Sequence, residues 1–425
     1  MTKGFMIAAP NSGAGKTTLT VGLLAALRAK GVDVTSAKSG PDYIDGRFHK
    51  AVTGQPCFNL DAWAMTEDRL RGLAQTERLL VVEAAMGLFD GAPPNGQGSA
   101  ADLASSLGIP AVLVVDASRQ SQSIAALVHG FASFREHPKV GGVILNRVSS
   151  LRHEQMLCHA LAPLNIPVIG AVPNTANLHR PSRHLGLVQA VEQSDLSKFI
   201  GEALNLVTQH LDLDMLVSLS NDIRRPAGQM PRLAPPAQHI AIARDAAFDF
   251  FYDHFVHDWN AQGAELSFFS PLNDDAPPPA DLVFLPGGYP ELHAGKLAAN
   301  SSFLNGLRAS SRVYGECGGY MVMGETLTDE KGQTHKMAGL LRLETSFEKP
   351  RRHLGYRKLS PKVGGPWSGP INGHEFHYAS TIKALGDPLF TATDSEGTSL
   401  PPMGLINKNH SGSFAHVIDA QGSQA

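Results

Sequence analysis

A two-domain α/β architecture is predicted from three features: the chain's length, its alternation of short apolar runs with helical stretches, and a proline-rich break near residue 230. At 425 residues the chain exceeds what one hydrophobic core ordinarily organises. In the first half, apolar runs at Gly4–Ala9, Leu79–Glu83, Ala111–Asp116, Gly142–Asn146 and Pro167–Val172 read as strands separated by helical stretches. Their near-continuous apolar character suits a parallel sheet buried on both faces. The stretch Asn221–Gln238 is rich in proline, carries Arg224 and Arg225 side by side and has no apolar periodicity, so it reads as a linker. Beyond it a second alternation starts at His239–Ala243 and continues with Leu282–Leu285 and Arg312–Gly315. The expected layout is a first domain over residues 1–225, a linker over 226–238 and a second domain over 239–425.

Composition narrows the class of function. With 43% hydrophobic residues, 18% charged residues and a net charge of −3, the sequence reads as a soluble globular protein without a basic face for nucleic acid or anionic membranes. Apolar runs such as Ala111–Val115 are strand-sized, far below a membrane span. Met1-Thr2-Lys3-Gly4 leads directly into an apolar strand without signal-peptide character, so a cytoplasmic location is expected. Cys57, Cys158 and Cys317 make no disulfide framework and suit a reducing compartment.

The first strand runs into Ala8-Ala9-Pro10-Asn11-Ser12-Gly13-Ala14-Gly15-Lys16-Thr17-Thr18, with a helix predicted beyond it. Such a loop aims successive backbone N–H groups and the positive helix end at an anion. Gly13 and Gly15 let the backbone wrap closely, Lys16 reaches outer phosphates, and Thr17 can ligate magnesium. Pro10 stands where the strict phosphate-loop pattern has glycine, yet the Gly-Ala-Gly-Lys-Thr-Thr core keeps its strand–helix setting. The sequence therefore predicts nucleotide binding.

Two acidic segments come next. Lys38-Ser39-Gly40-Pro41-Asp42-Tyr43-Ile44-Asp45-Gly46 reads as a polar turn with two carboxylates, and Glu83 ends a buried strand ahead of Met86-Gly87-Leu88-Phe89-Asp90-Gly91. Ligands of open α/β sheets bind beyond the carboxyl ends of strands. A carboxylate such as Glu83 there is costly unless paired or metal-bound, and it sits where nucleotide-bound magnesium needs oxygen ligands. Asp45 and Asp90 taken singly read equally well as turn formers, and Asp116 before Ser118 as a cap.

In the second half, Tyr314-Gly315-Glu316-Cys317-Gly318-Gly319-Tyr320-Met321 lies between an apolar strand and a helical stretch. Gly-x-Cys-x-Gly describes a sharp elbow that exposes a strained side chain. A cysteine at a helix amino terminus is expected to have a lowered pKa. Pro286-Gly287-Gly288-Tyr289 offers backbone N–H groups for an oxyanion hole, with Gly318 as a second donor. The histidines available as base are His374, His377 and His416.

These residues together resemble the cobyrinate, or hydrogenobyrinate, a,c-diamide synthases of vitamin B12 biosynthesis. The resemblance covers nearly the whole chain. It rests on Ser12–Thr18, Gly40-Pro41-Asp42-Tyr43-Ile44-Asp45, Asn59-Leu60-Asp61, Met86–Gly91, Val115-Asp116-Ala117-Ser118, Arg183-His184-Leu185-Gly186-Leu187, the cysteine elbow and Gly373-His374-Glu375-Phe376-His377-Tyr378. It implies a dethiobiotin-synthetase-like P-loop domain followed by a class I glutamine amidotransferase-like domain. It also implies an enzyme using ATP, magnesium and glutamine. Cys317 releases ammonia from glutamine through a thioester, while ATP phosphorylates a and c acetate carboxylates of a corrin substrate, giving acyl phosphates that ammonia displaces. By the resemblance Asp42, Tyr43, Asp45 and Asp90 lie around substrate and intermediate, Thr17, Asp45 and Glu83 around the metal, and Asn146 at the adenine. A homodimer is compatible with the sequence.

Two departures stand out. Gly46 replaces an expected proline, and Ile418 occupies the position, two residues after the histidine, where triad amidotransferases carry glutamate. The resemblance therefore implies a Cys317–His416 dyad. Rival readings are a cobyric acid synthase acting on other side chains of the ring, and a P-loop regulatory ATPase with an inert amidotransferase-like module. Asn11 in place of the partitioning ATPases' extra lysine, and an intact Cys317, count against the second.

Overall fold

The computed structural model describes residues 2–174 and 196–422 in full, with the backbone of two short strands, Ser182–Arg183 and Gly186–Leu187. The Arg183–Leu187 string lies outside the fully described residues. The chain forms two compact units, Met1–Met230 and Pro231–Ala425.

The first unit is built on β1 (Lys3–Ala8), β2 (Val34–Ser39), β3 (Phe58–Leu60), β4 (Leu79–Glu83), β5 (Ala111–Asp116), β6 (Val140–Val148) and β7 (Val168–Pro173). They pair in the order β3-β2-β4-β1-β5-β6-β7, every neighbour parallel. Strands β4 and β5 are buried along almost their whole length, as expected for a sheet covered on both faces. Strands β2 and β3 add to the five strands that apolar runs predict. The Val34-Thr35-Ser36-Ala37-Lys38-Ser39 segment lacks such a run, yet it is buried, so Lys38, expected on a turn, lies within a strand. Helices α1 (Lys16–Ala29) and α2 (Asp45–Thr53) start beyond the carboxyl ends of β1 and β2, and α3 (Leu196–His210) packs on α1.

Asn221–Asp222 adds an antiparallel partner to β1, so the start of the proline-rich segment belongs to the first unit's sheet. Between Ile223 and Gln238 there is neither helix nor strand.

In the second unit, β8 (His239–Ala243), β9 (Glu265–Phe269), β10 (Leu282–Leu285), β11 (Val313–Glu316), β14 (Leu405–Asn407) and β15 (His410–Ser413) form one sheet in the order β9-β8-β10-β11-β15-β14. All its pairs are parallel except β15 with β14. The helix α4 (Gly318–Met323) leaves β11 directly. A five-stranded antiparallel sheet contains β12 (His353–Pro361), β13 (Ile371–His377) and β16 (Ala415–Ala420). Phe414 alone separates β15 from β16, so the chain steps from one sheet to the other within a single residue. No helix among the described residues is long and apolar enough to cross a membrane.

Helix α3 packs closely on α1 because Gly22 leaves room for it. A Cβ at Gly22 would lie 2.3 Å from the Ala203 carbonyl oxygen and 2.8 Å from Val207 Cγ2. Both Ala203 and Val207 are fully buried, so neither can swing aside. Gly22→Ala should therefore cost about 1–3 kcal/mol through overpacking. The check is urea unfolding: a lower midpoint with unchanged slope is expected, and an unchanged midpoint would show that the helices separate freely.

Candidate active sites

Between β1 and α1 the loop turns through left-handed Gly13 and Gly15, with φ of 82° and 96°. Only glycine fits at Gly15, because a Cβ would lie 2.3 Å from Asn146 Nδ2. Asn146 Nδ2 donates to the Ala14 carbonyl at 2.7 Å, and its Oδ1 accepts from the Arg147 N–H at 3.0 Å. The amide thus buttresses the loop, a contact that no short-range pattern announces. Lys16 Nζ donates to the Met86 carbonyl and, at 3.4 Å, to that of Asn11, tying the loop to the segment after β4. Burial, and then the charge of Lys38, lower the Lys16 ammonium to about 8.

The carboxyl ends of β2 and β4 and the start of α2 bring charge together out of water. Lys38 Nζ lies 2.8 Å from Asp45 Oδ2 and 2.9 Å from Glu83 Oε1. Thr17 Oγ1 donates to Glu83 Oε1 at 2.7 Å and approaches Asp45 Oδ2 at 3.2 Å. The other Glu83 oxygen meets His49 Nε2 at 2.6 Å, and His49 Nδ1 lies 3.5 Å from Cys57 Sγ. Glu83 is completely buried. Burial alone would raise its pKa, but Lys38 and His49 hold it well below the carboxylate range. Burial likewise acts to lower Lys38, and Asp45 and Glu83 outweigh it and hold the ammonium above its ordinary value. Asp42 Oδ1 caps the turn by accepting from the Ile44 and Asp45 N–H groups at 2.8 and 2.9 Å. Its carboxyl is pushed up by burial and by Asp45.

These groups wall a cavity of about 450 Å³, to which Gly13, Gly15, Lys16, Thr17, Thr18, Lys38, Asp42, Asp45, Glu83 and Arg147 contribute. Tyr43 and Asp90 are not among its walls. Asp90 is exposed and accepts from the Gly87 N–H at 2.9 Å, holding the Met86–Asp90 turn. A hydroxyl and two carboxylates converging within hydrogen-bond distance are hard oxygen donors of the kind magnesium takes. Thr17, Asp45 and Glu83 therefore fit such an ion, although Lys38 already meets the same two carboxylate oxygens. The array can receive phosphate oxygens and a divalent cation together.

In the second unit Cys317 follows β11 with φ 46° and ψ −104°, a strained conformation that ends the strand and starts α4 in one step. The elbow packs closely at Gly319, where a Cβ would lie 2.0 Å from the Leu285 carbonyl oxygen. The Gly319 N–H donates to the Pro286 carbonyl at 3.0 Å, tying the elbow to the Pro286–Tyr289 turn. Gly288 N lies 3.1 Å from where a Gly318 Cβ would stand, so the two expected oxyanion donors are neighbours. The lowered thiol pKa expected from the helix terminus is not found. Burial, joined by the Glu291, Glu316 and Glu375 carboxylates, pushes the Cys317 thiol up, and the Gly318 N–H offsets this only in part. Helix α4 has six residues, a short dipole against a site that is 3% exposed.

The three histidines separate by their partners. His377 has both ring nitrogens facing acceptors, Nδ1 the Ala379 carbonyl at 3.1 Å and Nε2 the Glu375 carboxylate at 3.0 Å. Both ring nitrogens thus face partners other than the Cys317 thiol. His374 Nε2 meets the Tyr252 hydroxyl at 3.1 Å, and burial lowers its pKa to about 3. His416 stacks on His374 with ring centroids 4.8 Å apart, and its edge abuts Gly287, where a Cβ would lie 2.3 Å from Cε1. The Cys317 N–H donates to the Ser413 carbonyl at 2.8 Å, so the strand leading to His416 is fastened to the elbow. Burial, then His374 and His377, hold the His416 imidazole neutral.

Sequence reasoning assigns no role to Lys38, His49 or Glu316. A lysine just ahead of Gly-Pro-Asp is a usable signal for the first. His49 has none, because its link to Glu83 spans 34 positions.

In the free protein the raised thiol pKa should make alkylation of Cys317 by iodoacetamide climb about tenfold per pH unit through pH 9. Peptide mass spectrometry separates it from Cys57 and Cys158. A plateau below pH 8 would show a lowered pKa instead.

Comparison with known proteins agrees with this two-unit description. Residues 5–188 match the CobQ/CobB/MinD/ParA nucleotide binding domain, and residues 239–423 match the CobB/CobQ-like glutamine amidotransferase domain. The chain is 53% identical to the hydrogenobyrinate a,c-diamide synthase of Brucella anthropi, over 100% of both chains. It is 48% identical to that of Rhizobium meliloti, covering 98% of this chain and 99% of the relative. To the Rhodobacter capsulatus enzyme it is 48% identical over 98% of each chain. With a nucleotide-binding unit and an amidotransferase unit in one chain, and identity of this extent from end to end, the protein belongs to the hydrogenobyrinate a,c-diamide synthase family.

Proposed function

We propose that this protein converts the a and c acetate carboxylates of hydrogenobyrinic acid, or of its cobalt-bearing counterpart, into amides, using ATP and glutamine. The observation that carries this reading is the presence in one chain of a buried lysine–carboxylate array at a phosphate loop and a strained cysteine elbow whose backbone is bonded to the segment leading to a neutral histidine. The relatives' name favours the cobalt-free ring.

At the amidotransferase site Cys317 attacks the side-chain amide of glutamine. Its proton passes to His416 as the sulfur–carbon bond forms, and from there to the departing ammonia. The Gly288 and Gly318 N–H groups stabilise the developing oxyanion. At the other site the loop N–H groups and Lys16 cradle the triphosphate, with Lys38 a second cation beside it. Thr17, Asp45 and Glu83 would hold a magnesium ion, which would supply further charge neutralisation there. Asp42 and Asp45 line the cavity that the substrate approaches, Tyr43 stands between them in sequence, and Asp90 acts from the Met86–Asp90 turn whose Met86 carbonyl holds Lys16. A carboxylate oxygen of the substrate displaces ADP from the γ-phosphoryl group, giving an acyl phosphate. Ammonia then forms the amide and releases phosphate, which solves the poor reactivity of a carboxylate towards an amine.

Cys317→Ala should abolish glutamine-driven amidation and leave ammonia-driven amidation. Lys16→Met should lower amidation with either nitrogen source by roughly 10²-fold or more, while part of the glutaminase activity survives. Mass spectrometry of each corrin offered separately reads both outcomes as successive carboxylate-to-amide shifts. Equal loss of both nitrogen sources in Cys317→Ala would make the cysteine structural. Normal turnover in Lys16→Met would remove the loop from the reaction.

A further inference from the structure

The position two residues after His416 holds Ile418, so the acid that triad enzymes carry there is missing. An acid does approach the histidine from the strand that carries the nucleophile. Glu316 is the last residue of β11, in register with Ser413 of β15 and only 2% exposed. Its Oε1 accepts from the Tyr314 hydroxyl at 3.1 Å and from the Val417 N–H at 3.2 Å. Its Oε2 faces His416 Nδ1 at 3.9 Å. One carboxylate therefore fixes the backbone just beyond His416 and lies against the ring's own nitrogen.

We propose that Glu316 is the positioning residue of the glutaminase site, standing in for the missing strand acid by orienting His416 through Nδ1. The inference rests on the proposed Cys317–His416 dyad. For His416 to take the thiol proton at Nε2, Nδ1 must carry the ring's resting proton. A carboxylate facing Nδ1 selects that tautomer and stabilises the imidazolium once the thiol proton has arrived. Burial raises the Glu316 carboxyl to about 8, so the ionised form that does this grows as the pH rises towards that value, and it keeps no proton from the thiol. The 3.9 Å separation is longer than a hydrogen bond, and such contacts shorten when charge develops on the ring. The step from β15 to β16 through Phe414 alone, with Cys317 N–H bonded to Ser413, keeps acid, histidine and nucleophile on one rigid frame.

The substitution Glu316→Gln separates this role from a structural one. Glutamine keeps an oxygen for the Tyr314 hydroxyl and the Val417 N–H, but offers Nδ1 an N–H donor and so favours the wrong tautomer. Glutaminase kinetics of the full chain, corrected for folded fraction by thermal unfolding, should show kcat lower by roughly 10²–10⁴-fold. The KM for glutamine should change by less than about threefold, because ground-state binding is untouched. Glu316→Asp should recover part of the loss. In a double-mutant cycle, Glu316→Gln should add nothing to His416→Ala, since a residue acting through another loses its effect when the other is gone. A Glu316→Gln kcat within threefold of the parent, beside a crippled His416→Ala, overturns the role of Glu316 alone. An additive double mutant does the same. Full turnover in His416→Ala overturns the dyad, and this proposal with it.

Discussion

Each unit holds a carboxylate buried at the carboxyl end of a parallel strand, and the rest of each site exists to make that burial tolerable. An ionised carboxylate out of water is tolerated only when paired and hydrogen-bonded, and removing one partner leaves the other uncompensated. Glu83 meets this condition with Lys38, Thr17 and His49 on its two oxygens. Those partners come from β2, α1 and α2, so a single acid fixes the relative placement of four elements around the phosphate loop. Glu316, held by Tyr314 and Val417, meets the same condition only in part. There the pairing is weaker, and burial pushes the carboxyl up to about 8 against the pull of those two donors.

Burial also sets the resting state of the amidotransferase centre. Cys317 is pushed towards the neutral thiol and His416 towards the neutral imidazole, so the free protein holds neither member of the pair charged. On the proposed mechanism, charge separation then waits for glutamine, whose developing oxyanion meets the Gly288 and Gly318 N–H groups. A nucleophile kept neutral until its substrate arrives is also protected from adventitious oxidation, since the thiolate is the reactive form. The nucleotide cavity behaves in the opposite way. Lys38 and Glu83 are held charged against burial, giving a preorganised array that needs no proton transfer to receive an anion.

Much of this is legible in the sequence because it depends on short-range patterns. The phosphate loop, the strand ending in Glu83 and the cysteine elbow are each contiguous, and turn chemistry specifies them locally. Strand β2 is not legible, because Val34-Thr35-Ser36-Ala37-Lys38-Ser39 buries small polar residues and a lysine that only tertiary pairing can accommodate. The helix-dipole argument for Cys317 fails because sequence cannot register the burial of the thiol, nor the Glu291 and Glu375 carboxylates brought near it from separate elements. Glu316 is visible as a letter beside the nucleophile, but its partner lies 100 residues further on and reaches it only through the Phe414 step between sheets. The resemblance points to His416 over His377, but the Glu375 and Ala379 contacts that occupy the latter's ring lie beyond any sequence pattern.

If the lysine–carboxylate array serves to phosphorylate a substrate carboxylate, oxygen from that carboxylate must leave with the phosphate. Hydrogenobyrinic acid labelled with oxygen-18 in its carboxyl groups would be amidated with ATP and glutamine, and the released phosphate examined by mass spectrometry. One labelled oxygen in phosphate is expected for each amide formed, because the acyl phosphate loses its bridging carboxyl oxygen with the phosphoryl group. Stoichiometric amide formation with unlabelled phosphate would contradict it.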